Sequence, residues 1–308
     1  MKPSLRILAG ALALVGLSLS LTACDTSPYA AQVNSEVIKE TALNSEIRAW
    51  AGNPSYVASY DSASSTQNGG SGTTVVGAAK GTYSVPWVAM ILSGMIEARV
   101  IHQHLNATGK LPDQDILNAA RSVNETSGQE WTEFSPAFRD VLVGRLADQA
   151  AASQTTVSTA TLQQAYQQYL QYFFVTICVL QSSATTKAAA QAISASGGVN
   201  GAQVCYDQSQ LEGFPVAFKN AVMQTAVGSV SQPIQSGFGY QVVKVVSRHE
   251  QGFNPGLQRV LSLVLSNGQG TVDPSVAKLI DSAHVKVNPA YGTWSSTSGV
   301  VPPQVSSS

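Results

Sequence analysis

"VGSVSQPIQSGFGYQVVKV", Val227 to Val245, is the stretch on which the fold turns. Gly228, Ser231 and Pro233 punctuate it as a turn, and Phe238-Gly239-Tyr240 leads into "YQVVKVV", whose alternating faces read as a closing strand. Upstream, "PVAFKNAVMQTA" reads as a helix, "AQVCYD" as a strand and "TTKAAAQAISA" as a short helix. "YFFVTICVL", β-branched and aromatic, reads as a buried strand. Residues 172–248 therefore carry the order βαβαβ, a compact α/β module.

The flanks are helical. Ala31 to Ile38 reads as a strand, and Thr41 caps a helix whose Leu43, Ile47 and Trp50 fall on one apolar face. Residues 53–84, which include "SASSTQNGGSGTT", are rich in Gly, Ser and Thr without periodicity and read as a mobile loop. Pro86 opens a long helix that buries Trp87, Ile91 and Met95. "LPDQDILNAARSV", "FSPAFRDVLVGRLADQAA" with Ser135 as cap, and "STATLQQAYQQYLQYF" from Ser158 are further helices. Beyond the module, "PGLQRVLSLVLS" and "DPSVAKLIDSA" return to helix, "HVKVNPAYGTW" reads as a strand, and the Pro/Ser tail 295–308 reads as disordered.

Composition narrows the function classes. The chain has 308 residues, 44% of them hydrophobic and only 11% charged, against about 25% charged in soluble proteins generally. A net charge of −1 offers no basic field for nucleic acid and no acidic one for cations. Residues 1–24 carry Lys2 and Arg6, an apolar run from Ile7 to Leu21 and small residues before Cys24, which is a secretory signal. No second run of about 20 apolar residues is read in the remainder, so the body is expected to be soluble.

Two further cysteines remain, Cys178 and Cys205, in an oxidising compartment. A bridge between them closes a loop worth roughly 3–4 kcal/mol. The alternatives are two free thiols or a metal site, and for the latter no nearby histidine completes the four ligands zinc prefers. His102 and His104 lie two apart on a helix and face different directions, His249 sits at a strand end and His284 has no evident carboxylate partner. No nucleophile elbow or phosphate loop is present, and neither a metal nor a cofactor is implied.

These segments, in this order, resemble the secreted and lipid-anchored SurA/PrsA-type foldases, in which a parvulin peptidyl-prolyl isomerase module is set into a helical chaperone core. "AAQVNSEVIKETALNSEI" resembles their opening strand and helix, and "VKVNPAYGTW" their closing strand. Leu21-Thr22-Ala23-Cys24 resembles a bacterial lipobox, which makes Cys24 the lipidated residue; the other reading is an ordinary cleaved signal with an incidental cysteine. The resemblance implies an α+β fold with a chaperone core assembled from both chain ends, residues 25–171 and 249–294, around the module at 172–248. It implies an extracytoplasmic place on the bacterial membrane and unfolded secreted polypeptides as partners.

The resemblance also assigns site positions. Phe218 matches the family's pocket phenylalanine, Leu211 its Met or Leu, and Phe238-Gly239-Tyr240 the approach to a final histidine; Met223 and Phe238 complete the expected apolar cradle. That final histidine is Gln241 here, and the first family histidine falls near Gln181. A glutamine can hydrogen-bond like a neutral imidazole but does not titrate. The loop that carries the family's Cys or Asp is shortened to about half before Cys205. The implied function is a chaperone whose module binds peptide or serves structure. The alternatives are a divergent but active isomerase and a non-catalytic envelope scaffold.

Overall fold

The computed structural model describes residues 28–67, 73–77, 79–267 and 273–303. The signal segment, Cys24 and residues 304–308 lie outside them. The opening residues form a hairpin rather than one strand: β1 (Tyr29–Val33) and β2 (Glu36–Lys39) turn at Asn34, which takes the left-handed backbone asparagine tolerates (φ 53°). β7 (Val285–Val287), near the other end of the chain, pairs antiparallel with β1, Ala31 opposite Val287. Asn34 N–H donates to the His284 carbonyl at 2.7 Å, and His284 N–H donates back to Asn34 Oδ1 at 3.0 Å. A sheet of order β2-β1-β7 thus closes one core from both chain ends.

Beneath that sheet lie α1 (Glu40–Ala51), α2 (Pro54–Gln67) and α3 (Val85–Thr108). The residue before α1 is Lys39, so Thr41 sits inside the helix rather than capping it. α3 has Pro86 in its first turn and buries Trp87, Leu92 and Ile96 completely. By length and composition it could cross a bilayer, a run the sequence reading passed over. It packs instead against α1 and β1 of this core.

Two stretches expected to be unstructured carry regular elements among their described residues. Within 53–84, α2 is pinned where Ser55 N–H and Oγ both donate to the Glu133 carboxylate, at 2.8 and 2.9 Å. Tyr56 packs on Trp50 and accepts a hydrogen bond from the Trp87 indole at 3.1 Å. Tertiary contacts supply what the Ser/Thr-rich composition lacks. Within 295–308, β8 (Thr293–Ser295) and β9 (Gly299–Val301) form a hairpin. Val300 N–H donates to Ser93 Oγ on α3 at 2.7 Å, and a side chain at Gly299 would collide with Ser93.

The second helical cluster gathers α4 (Gln114–Glu125), α5 (Gln129–Glu133), α6 (Pro136–Ala152), α7 (Thr159–Gln168) and α11 (Pro255–Asn267). Asp113, Ser135 and Ser158 cap α4, α6 and α7 through their side chains. Trp131, Phe173 and Leu257 are among the residues buried at its centre. α12 (Pro274–Ser282) joins the two clusters by packing on α3 and α6.

The inserted module holds β3 (Phe174–Ala184), α8 (Lys187–Ser196), β4 (Gln203–Asp207), α9 (Gln208–Glu212), α10 (Val216–Gln224), β5 (Ile234–Ser236) and β6 (Gly239–Glu250). Its sheet is antiparallel with order β4-β3-β6-β5. Phe173 belongs to the helical core and Phe174, its neighbour, to the module's own core.

Candidate peptide-binding face of the inserted module

The turn through Gly228 and Ser231 is laced onto β6. Gly228 N–H donates to the Val245 carbonyl at 2.7 Å, and Ser231 N–H donates to the Val243 carbonyl at 2.8 Å. The buried Ser231 hydroxyl accepts from Val243 N–H at 3.1 Å. Arg248 on β6 donates to the Met223 carbonyl at 2.7 Å, at the end of α10, and so fixes that helix over the sheet. These residues position the face; none of them is free to do chemistry.

Register places the two glutamines. Gln181 lies opposite Val243, and Gln241 lies opposite both Ser183 and Ile234. Opposed residues on paired strands share a face, so both glutamines look to the side where Val243, Val245 and Ile234 meet Phe218. This face, to which the resemblance assigns Gln241 and a position near Gln181, bears neutral amides. Gln181 Nε2 donates to Tyr206 Oη at 2.6 Å, which commits that amide to a protein partner.

The expected cradle is not open. Leu211, Phe218 and Met223 are 1%, 3% and 3% exposed and fill the module's core, while Phe238 stands wholly in solvent at the β5–β6 turn. The cover over Phe218 is Phe214, absent from the sequence reading. It stacks on Phe218 with centroids 4.9 Å apart, meets Tyr206 edge-on at 5.0 Å, and keeps 37% of its own surface exposed. Its signal was present in "GFPVAF": Phe214 stands four residues before Phe218, and Pro215 fixes the start of α10 between them. Val204 and Val216, 40% and 44% exposed, are the other half-open apolar residues of β4 and the start of α10, and β4 is an edge of the sheet.

The shortened loop occupies space beside the glutamines. Gly201 approaches β3 so closely that a Cβ there would stand 1.7 Å from the Gln181 carbonyl oxygen, and Asn200 N–H donates to Ser182 Oγ at 3.1 Å. On the opposite face Cys178 and Cys205 oppose one another in register and form a disulfide. Elsewhere His102 meets Asp148 at 2.8 Å, a pairing the sequence did not indicate. Among the described residues no group of three or more His, Cys, Asp and Glu could hold a metal ion.

No protein-family model and no curated protein matches the chain. Among solved structures it is similar to the foldase protein PrsA from Lactococcus lactis, at 15% identity and a TM-score of 0.30, covering 86% of this chain and 96% of that one. It is similar to PrsA from Bacillus subtilis, at 15% identity and 0.26, covering 85% and 95%. A third is one of two SurA-like chaperones of Campylobacter jejuni, at 15% and 0.23, covering 85% and 99%. The paired chain ends agree with the core that the resemblance implies, while the module has a fourth strand, β5, where the sequence reads as a turn.

Proposed function

We propose that the protein is a membrane-anchored extracytoplasmic chaperone that holds unfolded secreted polypeptides, and that its parvulin-like module binds or braces without catalysing isomerisation. The observation that carries this reading is the closed pocket, in which Phe218 lies under Phe214; the resemblance adds Gln241, and a position near Gln181, where the family has histidines. Prolyl isomerisation has to cross about 18–20 kcal/mol of amide resonance. A catalyst needs an accessible apolar cradle and polar groups aimed at the twisting amide. Here the cradle is filled by its own side chains and one amide is already bonded to Tyr206. The anchor reading is supported by the Leu21-Thr22-Ala23-Cys24 ending of the signal segment.

Two assays on the mature protein test this together. With a proline tetrapeptide the isomerisation rate should stay at background, and with an unfolded client aggregation should be suppressed at near-equimolar ratio. Acceleration well above background, abolished by Phe218→Ala, would establish an enzyme instead. Failure to suppress aggregation would leave a scaffold.

A further inference from the structure

Ser93, Glu97 and Ile101 follow one another at four-residue intervals along a single face of α3. Ser93 Oγ holds the β8–β9 hairpin through Val300 N–H at 2.7 Å, and Ile101 packs with Val276 and Ile280 of α12. Glu97, between them, lines a cleft of about 550 Å³. Its other walls include Val276 and Ile280, Leu263 of α11, and Ser296 and Thr297 of the β8–β9 turn.

Glu97 is half-buried, and among the described residues its carboxylate has no hydrogen-bond donor and no ion-pair partner. Arg99 and His102 of the same helix and Arg145 of α6 are engaged elsewhere, with Glu36, Asp148 and Glu46. Burial alone acts on the Glu97 carboxyl and pushes it above its ordinary 4.5, as befits a charge that has lost water without gaining a partner. The cleft has a second carboxylate, Asp273, and none of the described residues lining it is basic. Asp273 is committed to Ser153, Gln154, Thr155 and Ser275, which leaves Glu97 as the acceptor still open. A group that complements these walls carries positive charge beside apolar surface: the charge meets Glu97, and the methylenes or neighbouring side chains meet Leu263, Val276 and Ile280.

We propose that this cleft takes an ammonium group of an unfolded polypeptide, with Glu97 as its counter-ion, a role that rests on the proposed chaperone function. The ammonium belongs to a lysine side chain or to a free N-terminus, and the two sources share one chemistry.

Three apolar peptides of equal length test this by titration calorimetry on the mature protein. One is N-acetylated with a single central lysine, one is N-acetylated with norleucine in its place, and one has norleucine and a free N-terminus. An ammonium-bearing peptide should bind roughly tenfold tighter than the blocked norleucine peptide. Glu97→Gln should erase that margin and leave the blocked norleucine peptide's affinity unchanged. The peptide that carries the margin identifies the source. Equal affinity for all three, binding of none, or a margin that survives in Glu97→Gln would overturn the site. Client aggregation still suppressed by the mature protein would then show that the site fails while the chaperone function stands. If the variant does not fold, the Glu97 carboxyl-carbon resonance of the unaltered protein decides: a shift with an ammonium-bearing peptide and none with the blocked norleucine peptide supports the site, and no difference between them overturns it.

Discussion

Asp273, in the helical core, and Glu125, on α4 against α10, are each only 3% exposed, yet their surroundings push their carboxyls in opposite directions. Asp273 caps α12 and accepts hydrogen bonds from Ser153 Oγ, Gln154 N–H, Thr155 N–H and Oγ1, and Ser275 N–H and Oγ. Burial alone would raise its carboxyl, but this ring of neutral donors holds it well below the carboxylate range. Glu125 has one lysine, one facing carboxylate and an oxygen without a donor, and burial prevails. Low exposure alone therefore does not set the direction of the shift; the supply of donors weighs with it.

The largest test of that contrast removes the better-supplied carboxylate. Asp273→Ala strands several buried donors where the end of α6 meets α12 and should cost roughly 3–5 kcal/mol of core stability. Because the folded Asp273 holds its charge more readily than the unfolded one, its stabilisation is present above the ordinary value of 3.8 and lost as pH falls below it. Denaturant titrations at neutral and acid pH should show Asp273→Asn losing part of that acid dependence. An unchanged slope would break the comparison at its first term.

The module depends instead on a covalent tie. Cys178–Cys205 closes a loop with a sequence separation of 27, worth roughly 3–4 kcal/mol by the chain-entropy relation. Reductant, or the double Cys→Ala variant, should lower protection and melting temperature across 172–248 before the helical core responds. Identical melting with and without reductant would show that contacts with the helical core, not the bridge, limit the module.

Much of this was legible because it is local. Ser135, Ser158 and Pro86 mark helix starts at short range, and "YQVVKVV" and "YFFVTICVL" carry their strand character in their own side chains. The misreadings share one cause. α2 and the β8–β9 hairpin take their order from partners far along the chain, Glu133 and Trp87 for the one, Ser93 for the other. Whether Phe218 lined a groove or a core depended on Phe214, and Glu125 meets Lys219 across 94 residues, a distance no spacing rule reaches.

The smallest effect separates two aromatics, Phe238, which the sequence singled out, and Phe214, which only the fold brings forward. Phe238 touches solvent on every side, so Phe238→Ala should shift stability by no more than about 0.5 kcal/mol. Phe214 is half-open but stacked on Phe218 and edge-on to Tyr206, so Phe214→Ala should cost about 1 kcal/mol through the lost ring contacts. Their consequences for a bound polypeptide should diverge further. A ring held by two others meets a client without losing much freedom, whereas a ring on a free turn must first be ordered. Affinity for an apolar, proline-containing peptide should therefore fall several-fold in Phe214→Ala and stay nearly constant in Phe238→Ala, as read by titration calorimetry. The reverse ranking would move the binding surface from the covered pocket to the β5–β6 turn and leave Phe214 as packing alone.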